Sequence, residues 1–331
     1  MENMHTGYKL LMAATIVSSS IGFSQDVSAQ QDSYQIASTS YSQPLTQIET
    51  FIGSKRIETV RYTLGSVDRL HDGLMYSSYG DRVINLKNSK TTLQKVADSP
   101  LRITKYKNVY YALSMSKINE FSLTKYTSDF KKIGQTKRFV GHGRDMIVTG
   151  DKLYVLANNM KAETNSVEIH TFDTKHFTSL HLEKIKPMVF AFHFRHAGNE
   201  LKIYGNKTEE GEELSIASYD LKKQQGKIVL TSKQPVMWVN DTKALSSTKD
   251  LVFNMYSMLE VDQKTKQVRV LYSSKQALID YAYDSKTKTY HVLEGNFETS
   301  NFRVKTLNSN FKPVADYKFQ STARMMPFQV L

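Results

Sequence analysis

A turn residue followed by a short apolar, strand-like run occurs six times in this chain of 331 residues. The apolar positions that correspond lie between 35 and 50 residues apart. A recurrence of this length is typical of proteins built from one repeated unit of a few strands or helices. The six copies are "DGLMYSSY" (72–79), "KNVYYALSM" (107–115), "GDKLYVLAN" (150–158), "GNELKIYGN" (198–206), "KDLVFNMYS" (249–257) and "KTYHVLEGN" (288–296).

Each copy is followed by two more strand-like segments, such as "LSIASYDLKK" and "GKIVLTS" after the fourth. Short alternating runs without a sustained 3.6-residue stripe predict strands and not helices. Asp or Asn begins the turn between these segments in four copies, and its side chain can accept a backbone hydrogen bond two residues on. The four turns are Asn85-Leu86-Lys87, Asp173-Thr174-Lys175, Asp220-Leu221-Lys222 and Asp262-Gln263-Lys264.

The repeats predict an all-β fold, because a four-stranded unit cannot bury both of its faces alone and must stack against its neighbours. Six units cover residues 64 to about 319. The two ends supply the remaining strands: "RMMPFQVL" (324–331) resembles an innermost strand, and "TQIETFIG" and "KRIETVRYT" (46–63) resemble a third and a fourth. We therefore predict a β-propeller of seven four-stranded antiparallel blades, closed by both termini; six blades are the alternative.

The first 45 residues differ from the rest. Residues 1–29 contain the apolar run "LLMAATIVSSSIGF" and end in small residues, which is typical of a secretory signal peptide. An uncleaved anchor is the alternative. Residues 30–45 are polar and are predicted to form a linker or a loose first strand. The single propeller domain is then expected over 46–331.

The charge balance limits the partners. The chain has 44 basic and 32 acidic side chains, a net charge of +12, and loss of the signal raises this to +13. Such a charge favours anionic neighbours, although a lysine-rich surface can also serve only to keep a protein soluble. The chain has no cysteine, which excludes disulfides, thiolate metal sites and a cysteine nucleophile.

The hairpin "LSIASYDLKKQQGKIVLTS" (214–232) resembles the strand–Asp–turn–Gly–strand hairpin of bacterial secreted propellers of the quinoprotein and YVTN/lactonase kinds. The resemblance covers nearly all of the mature chain, at the level of the repeat. It implies the propeller fold and carries no catalytic residue, because its motifs encode turns. The Gly after the turn is missing from most of the other units.

The segments entering the innermost strands contain the candidate site, because propeller ligands usually bind at one end of the central channel. Five of these segments contain an arginine, so the channel mouth could be cationic. The alternative is that each arginine pairs with an acid on the next blade; Asp68, Asp145, Asp241 and Asp280 occur in the same segments. The arginines are Arg69, Arg102, Arg144, Arg195 and Arg324.

Histidines near the same mouth suggest two further possibilities. His142 with Asp145 could act as a general base and its orienting acid. His193 and His196 would face opposite sides of a strand unless a bulge lies between them, so no metal site is predicted. The candidate ligand-binding residues are Arg69, Arg102, His142, Arg144, Asp145, His193, Arg195 and His196.

These features predict a secreted or cell-surface propeller that binds or scaffolds without catalysis. The expected partner is an anionic envelope polymer, a small anionic ligand or another protein. The alternative is a lactonase-like hydrolase or lyase with its site at the channel mouth. We expect a monomer with no cofactor, no specific nucleic-acid partner and no membrane segment after signal cleavage.

Overall fold

The computed structural model describes eleven stretches of the chain, and every element given below lies within them. The predicted signal peptide, residues 1–29, lies outside the described residues. The described stretches are 32–40, 45–62, 69–71, 74–76, 82–85, 92–96, 99–160, 165–208, 213–232, 239–321 and 328–330.

All regular structure in these stretches is β-strand. The first strands of the chain are β1 (Ser33–Ser40), β2 (Leu45–Ile52) and β3 (Lys55–Tyr62), followed by β4 (Arg69–His71), β5 (Leu74–Tyr76), β6 (Arg82–Asn85) and β7 (Thr92–Lys95). The next are β8 (Pro100–Tyr106), β9 (Val109–Lys117), β10 (Glu120–Tyr126), β11 (Lys132–Gln135) and β12 (Phe139–Val140), then β13 (His142–Thr149), β14 (Lys152–Asn159), β15 (Ser166–Asp173) and β16 (Ser179–Lys184).

The second half of the chain continues in the same way. Its strands are β17 (Phe190–Ala197), β18 (Glu200–Asn206), β19 (Leu214–Asp220) and β20 (Gln225–Thr231); β21 (Val239–Ala244), β22 (Lys249–Asn254), β23 (Ser257–Asp262) and β24 (Gln267–Ser273); and β25 (Ala277–Asp284), β26 (Thr289–Asn296), β27 (Asn301–Leu307), β28 (Pro313–Gln320) and β29 (Phe328–Val330).

The strands pair as antiparallel meanders. We number the sheets 1 to 6 along the chain: β4–β7, β8–β12, β13–β16, β17–β20, β21–β24 and β25–β28. A further sheet, called the terminal sheet, has the order β29-β1-β2-β3 and so joins strands from both ends of the chain. The prediction of repeated four-stranded antiparallel sheets is confirmed, with the short β12 as an additional strand of sheet 2. The roles of 46–63 as third and fourth strands are confirmed as well.

Of the two interpretations of residues 30–45, a linker or a loose first strand, the structure supports the strand for residues 33–40. Residues 33–40 form β1, which pairs with β2 along its whole length and with β29 on its other side. The sequence "SYQIASTS" is polar, yet Tyr34 and Ile36 are fully buried and Ala37 nearly so. A hydrophobic face on alternate residues is enough to hold a strand between two neighbours.

The core lies between sheets. Each apolar cluster draws its buried side chains from two sheets that are consecutive along the chain, as when Leu156 and Ile169 of sheet 3 meet Leu201 and Ile203 of sheet 4. The cluster between sheet 6 and the terminal sheet is of the same kind, with Val304 against Ile36. Burial of the face of one sheet against the next supplies the stabilisation that no sheet has alone.

A β-bulge recurs at one place in the innermost strands of sheets 2 to 6. The pairing register shifts at this point in all five strands, so one extra residue stands opposite the second strand. A bulge bends the strand and redirects the side chain that follows it. The residues that follow the bulge are Arg102, Asp145, His193, Asp241 and Asp280.

The meander also sorts the connections into two sets. Because successive strands are antiparallel, the turns between the first and second strands and between the third and fourth strands lie at the same end of each sheet. We call the surface made by these turns in sheets 2 to 6 the turn face. The segments that enter the innermost strands lie at the opposite end.

Candidate functional site

Four side chains that follow the bulges form a continuous polar chain across sheets 2 to 5. Arg102 Nε lies 3.2 Å from Asp145 Oδ1, and His193 Nδ1 lies 2.5 Å from Asp145 Oδ2. The other ring nitrogen of His193, Nε2, lies 3.4 Å from Asp241 Oδ1. Tyr281 of sheet 6 is hydrogen-bonded to Asp241, and its hydroxyl donates to the carboxylate.

Asp145 is the most buried member of this polar chain, with 4% of its surface exposed. Burial by itself would raise the pKa of Asp145, but Arg102 and His193 hold it well below the usual aspartate range. The backbone N–H of Met146 also donates to the carboxylate at 2.8 Å. Asp145 is therefore a buried anion whose charge is neutralised by its neighbours.

Asp241 is more exposed to solvent than Asp145, since about half of its side chain is accessible. Burial raises the pKa of Tyr281 well above its ordinary value, and the adjacent carboxylate of Asp241 raises it further. The Tyr281 hydroxyl therefore stays protonated and remains a donor to Asp241. With both ring nitrogens of His193 next to carboxylates, this histidine links sheets 3, 4 and 5.

Arg195 makes a second inter-sheet pair beside the polar chain. Its Nη2 binds Oδ1 of Asp250, which is fully buried on β22 of sheet 5, and its Nε donates to the Tyr204 hydroxyl at 3.2 Å. The arginine side chain is only 15% exposed. Arg102 and Arg195 thus both bind an acid of the next sheet, which is the structural alternative that the sequence left open.

Arg144 occupies the bulge itself and points away from Asp145. Its guanidinium carbon lies 4.5 Å from the centroid of the Phe190 ring, a cation–π contact with sheet 4. The pKa of His142 is lowered to about 4, mainly by burial and then by Arg144. At neutral pH His142 is therefore an uncharged ring, and the carboxylate of Asp145 orients His193 instead.

Of the remaining candidates, only His196 has a described side chain. His196 is exposed, and the strand pairing is regular between His193 and His196, so the two side chains point to opposite faces. Arg69 begins β4, where the structure describes the backbone only; Arg324 lies outside the described residues. Within the described stretches, no group of three or more His, Asp or Glu side chains is placed to hold a metal ion.

Sequence reasoning brought Arg102, Asp145 and His193 into one list and named Asp241 as a possible arginine partner, but it missed Tyr281 and Asp250. The signal was the Asp that recurs before the apolar residues of the innermost strand, at 68, 145, 241 and 280. Asp145, Asp241 and Asp280 each accept the backbone N–H of the next residue at 2.7 to 2.8 Å. The recurring Asp directly follows the bulge in sheets 3, 5 and 6, and it therefore indicates where the residues of the polar chain lie.

The turn face carries a strong excess of positive charge. Its described turns contain two acids, Asp129 and Asp151, against ten lysines, all of them exposed. Carboxylates at the strand ends hold these turns in shape: Asp220 Oδ1 accepts the N–H groups of Lys222 and Lys223 at 2.8 and 2.9 Å. The lysines are Lys107, Lys131, Lys175, Lys222, Lys223, Lys264, Lys266, Lys286, Lys288 and Lys312.

In the stretches that the structure describes, no helix has the length and apolar character needed to cross a membrane.

No protein-family model and no curated protein matches the sequence. Solved structures do match. The structure of apo AztD from Citrobacter koseri superimposes with a TM-score of 0.54 at 8% identity, over 90% of this chain and 98% of that one.

Two putative 6-phosphogluconolactonases also match. The protein from Bacteroides uniformis gives a TM-score of 0.60 at 11% identity, over 91% of this chain and 100% of that one. The protein from Bacteroides fragilis gives 0.56 at 10% identity, over 92% and 99%. At such identities these likenesses show the fold alone. The predicted β-propeller fold, and its resemblance to YVTN/lactonase propellers, are confirmed: this chain is an all-β protein with the fold of 6-phosphogluconolactonase-like and AztD propellers.

Proposed function

We propose that this protein is an envelope-associated or secreted propeller that binds an anionic polymer through its turn face, without catalysis. The observation that carries the proposal is the excess of ten exposed lysines over two acids in the described turns of that face. Lysines at successive turns present an extended array of charges. Such an array suits a flexible polyanion better than a single small anion.

The polar chain at the innermost strands supports placing the binding surface on the turns. Arg102 and Arg195 are each matched by a carboxylate of the next sheet, at Asp145 and Asp250. A guanidinium that is already paired has less charge to offer an anionic ligand. Of the ten turn lysines, Lys131 lies 3.2 Å from an acid of its own turn, Asp129, and all ten remain exposed to solvent.

The enzymatic alternative gains less support. A general base needs a nitrogen lone pair within reach of the proton that it removes. Both ring nitrogens of His193 lie next to carboxylates, and His196 lies on the opposite face of the strand. His142 keeps an uncharged ring but has no described acid that orients it.

The test is a charge-reversal experiment on the mature chain. In one variant Lys222, Lys223, Lys264 and Lys286 of the turn face are replaced by Glu. A matched variant has the same net charge but changes residues of the opposite end: Lys137, Arg138, Lys186 and Lys275. Binding to immobilised polyphosphate and to polygalacturonate is measured between low and moderate salt.

We expect wild-type binding to weaken with salt, with a log–log slope reduced by about three in the turn-face variant. The matched variant should keep most of the wild-type affinity and slope. Equal losses in the two variants would show that only net charge matters. Binding that does not respond to salt would exclude the electrostatic mechanism altogether.

A further inference from the structure

Lys243 lies near the end of β21 and is surrounded by aromatic rings. Its ammonium lies over the ring of Tyr283 and 5.4 Å from the centroid of the Tyr290 ring. These tyrosines belong to β25 and β26 of sheet 6, and their ring centroids are 4.8 Å apart. The lysine side chain is thus held between sheets 5 and 6 by ring faces.

The carboxylates of the strands packed around Lys243 are engaged elsewhere. Asp241 contacts His193, and Asp250 binds Arg195. Asp284, at the end of β25, accepts the backbone N–H of Lys286 and the hydroxyl of Thr287. Among the described residues Lys243 has no carboxylate partner. The titratable side chains that face it are those of Tyr283 and Tyr290.

Lys243 holds the same position in sheet 5 as Arg195 does in sheet 4. Arg195 and Lys243 each lie two residues beyond the polar-chain residue of their strand. The second residue of the facing strand is Asp250 for Arg195 but Tyr290 for Lys243. The acid that neutralises the cation between sheets 4 and 5 is therefore replaced by an aromatic ring between sheets 5 and 6.

This environment changes the chemistry of the amine. Burial without a compensating anion lowers the pKa of Lys243 to about 8. In about a tenth of the protein molecules the Lys243 amine is then neutral at pH 7, against well under a thousandth for an ordinary lysine. The site is open to solvent, because Lys243 is only half-buried and Tyr283 is exposed.

We propose that Lys243, between Tyr283 and Tyr290, is an imine-forming site for small aldehydes. The amine nitrogen attacks the carbonyl carbon and forms an N–C bond. The amine nitrogen gives up its two protons, and the carbonyl oxygen takes up two. The C–O bond then breaks, the oxygen leaves as water, and a C=N bond remains. No oxidant or reductant is needed. The flanking rings favour an aldehyde with a flat apolar group that can stack on them.

The test treats the full chain with benzaldehyde and cyanoborohydride, which reduces an imine to a stable secondary amine, and measures labelling of each lysine by peptide mass spectrometry. Lys249 is the internal control, since it lies on the neighbouring β22 and contacts Glu260 and Asp262. At pH 7 the neutral amine is more than about a hundredfold more abundant at Lys243 than at an ordinary lysine. Because a less basic amine is also a weaker nucleophile, we expect Lys243 to be labelled at least about tenfold faster than Lys249. Its labelling rate should reach half of its maximum near pH 8.

Two variants make the result specific. Lys243→Arg should abolish labelling at this position. Tyr283→Ala should hydrate the amine, raise the pH of half-maximal labelling and reduce the rate at pH 7 towards that of Lys249. Equal labelling of Lys243 and Lys249 in the folded wild type would overturn the proposal, as would a Tyr283→Ala variant that labels like the wild type. Polyanion binding involves other residues, so either proposal can fail without the other.

Discussion

At the scale of single residues, Asp145 shows how a buried charge is tolerated. The carboxylate would be costly to bury alone, but Arg102, His193 and the Met146 N–H together satisfy both of its oxygens. These partners come from sheets 2, 3 and 4. One side chain therefore links three consecutive sheets, and its removal takes from Arg102 and His193 the carboxylate that both of them contact.

Replacement of Asp145 by Asn should destabilise the protein by about 3 kcal/mol, because the partly buried Arg102 and His193 would lose the buried carboxylate that they share. The matched change is Asp241→Asn, at the half-exposed end of the same chain, for which about 1 kcal/mol or less is expected. Urea unfolding monitored by circular dichroism measures both. Similar losses of stability in the two variants would show that burial does not control how much a carboxylate of the polar chain stabilises the protein.

The elements show a second regularity, in the turns between first and second strands. Lys107, Gly150 and Gly198 hold equivalent positions there, with φ of 56°, 62° and 64°. Lysine at the first of these positions shows that the left-handed conformation does not require glycine in this fold. The cost of a side chain at such a turn is the modest backbone strain alone.

Gly205 has a different role, since it lies on β18 opposite the bulge of β17. A Cβ there would come within 2.1 Å of the Phe190 carbonyl oxygen and 2.8 Å of the Ala191 Cα. Both are backbone atoms of the neighbouring strand, so the strand pair itself would have to move apart. The close approach at this bulge therefore depends on glycine.

We expect Gly205→Ala to cost about 3 kcal/mol, because it forces apart two paired strands next to the polar chain. Gly198→Ala in the same sheet is the matched control, with nothing within 4 Å of its Cβ, and should cost about 1 kcal/mol. Thermal and urea unfolding of the two variants would measure the difference. A Gly205→Ala protein as stable as Gly198→Ala would contradict the close approach of β17 and β18.

At the scale of the whole molecule, the terminal sheet joins the two ends of the chain. β29 contributes Phe328, Gln329 and Val330, which pair with Ile36, Gln35 and Tyr34 of β1. The adjacent core cluster contains Tyr34 and Phe51 stacked on each other, with Phe319 against Phe51. In the absence of disulfides, this noncovalent pairing links the last residues of the chain to the first described strand.

Deletion of residues 328–331 should therefore lower the melting temperature by about 5–10 °C, since it removes the strand that pairs with one edge of β1. Hydrogen exchange locates the effect: amides of β1 and β2 should exchange faster, while those of sheet 4 should not. Unchanged protection of β1 in the truncated protein would contradict the predicted closure by both termini.

The sequence by itself determined the elements that local chemistry controls. Alternating runs such as "LKIYG" specify strands, and an Asp two residues before a Lys specifies the turn, because both depend on neighbours within a few positions. The recurrence of these units was sufficient to predict the repeated sheets, the propeller and the strands supplied by 46–63. The polar composition of 33–40 left a linker and a loose first strand both open, because the burial of β1 depends on β2 and β29.

Only the tertiary structure decided which charges meet. The sequence placed Arg102, Asp145 and His193 near one mouth but left open whether the arginines face a ligand or an acid. The bulge before each of these residues turns its side chain towards a neighbouring sheet, and Arg195 lies on the same face of its strand as His193. Arg102 and Arg195 therefore bind acids that are 43 and 55 residues away in the sequence. Contacts over such separations depend on how whole sheets stack, and that stacking is set by the packing of all their faces together.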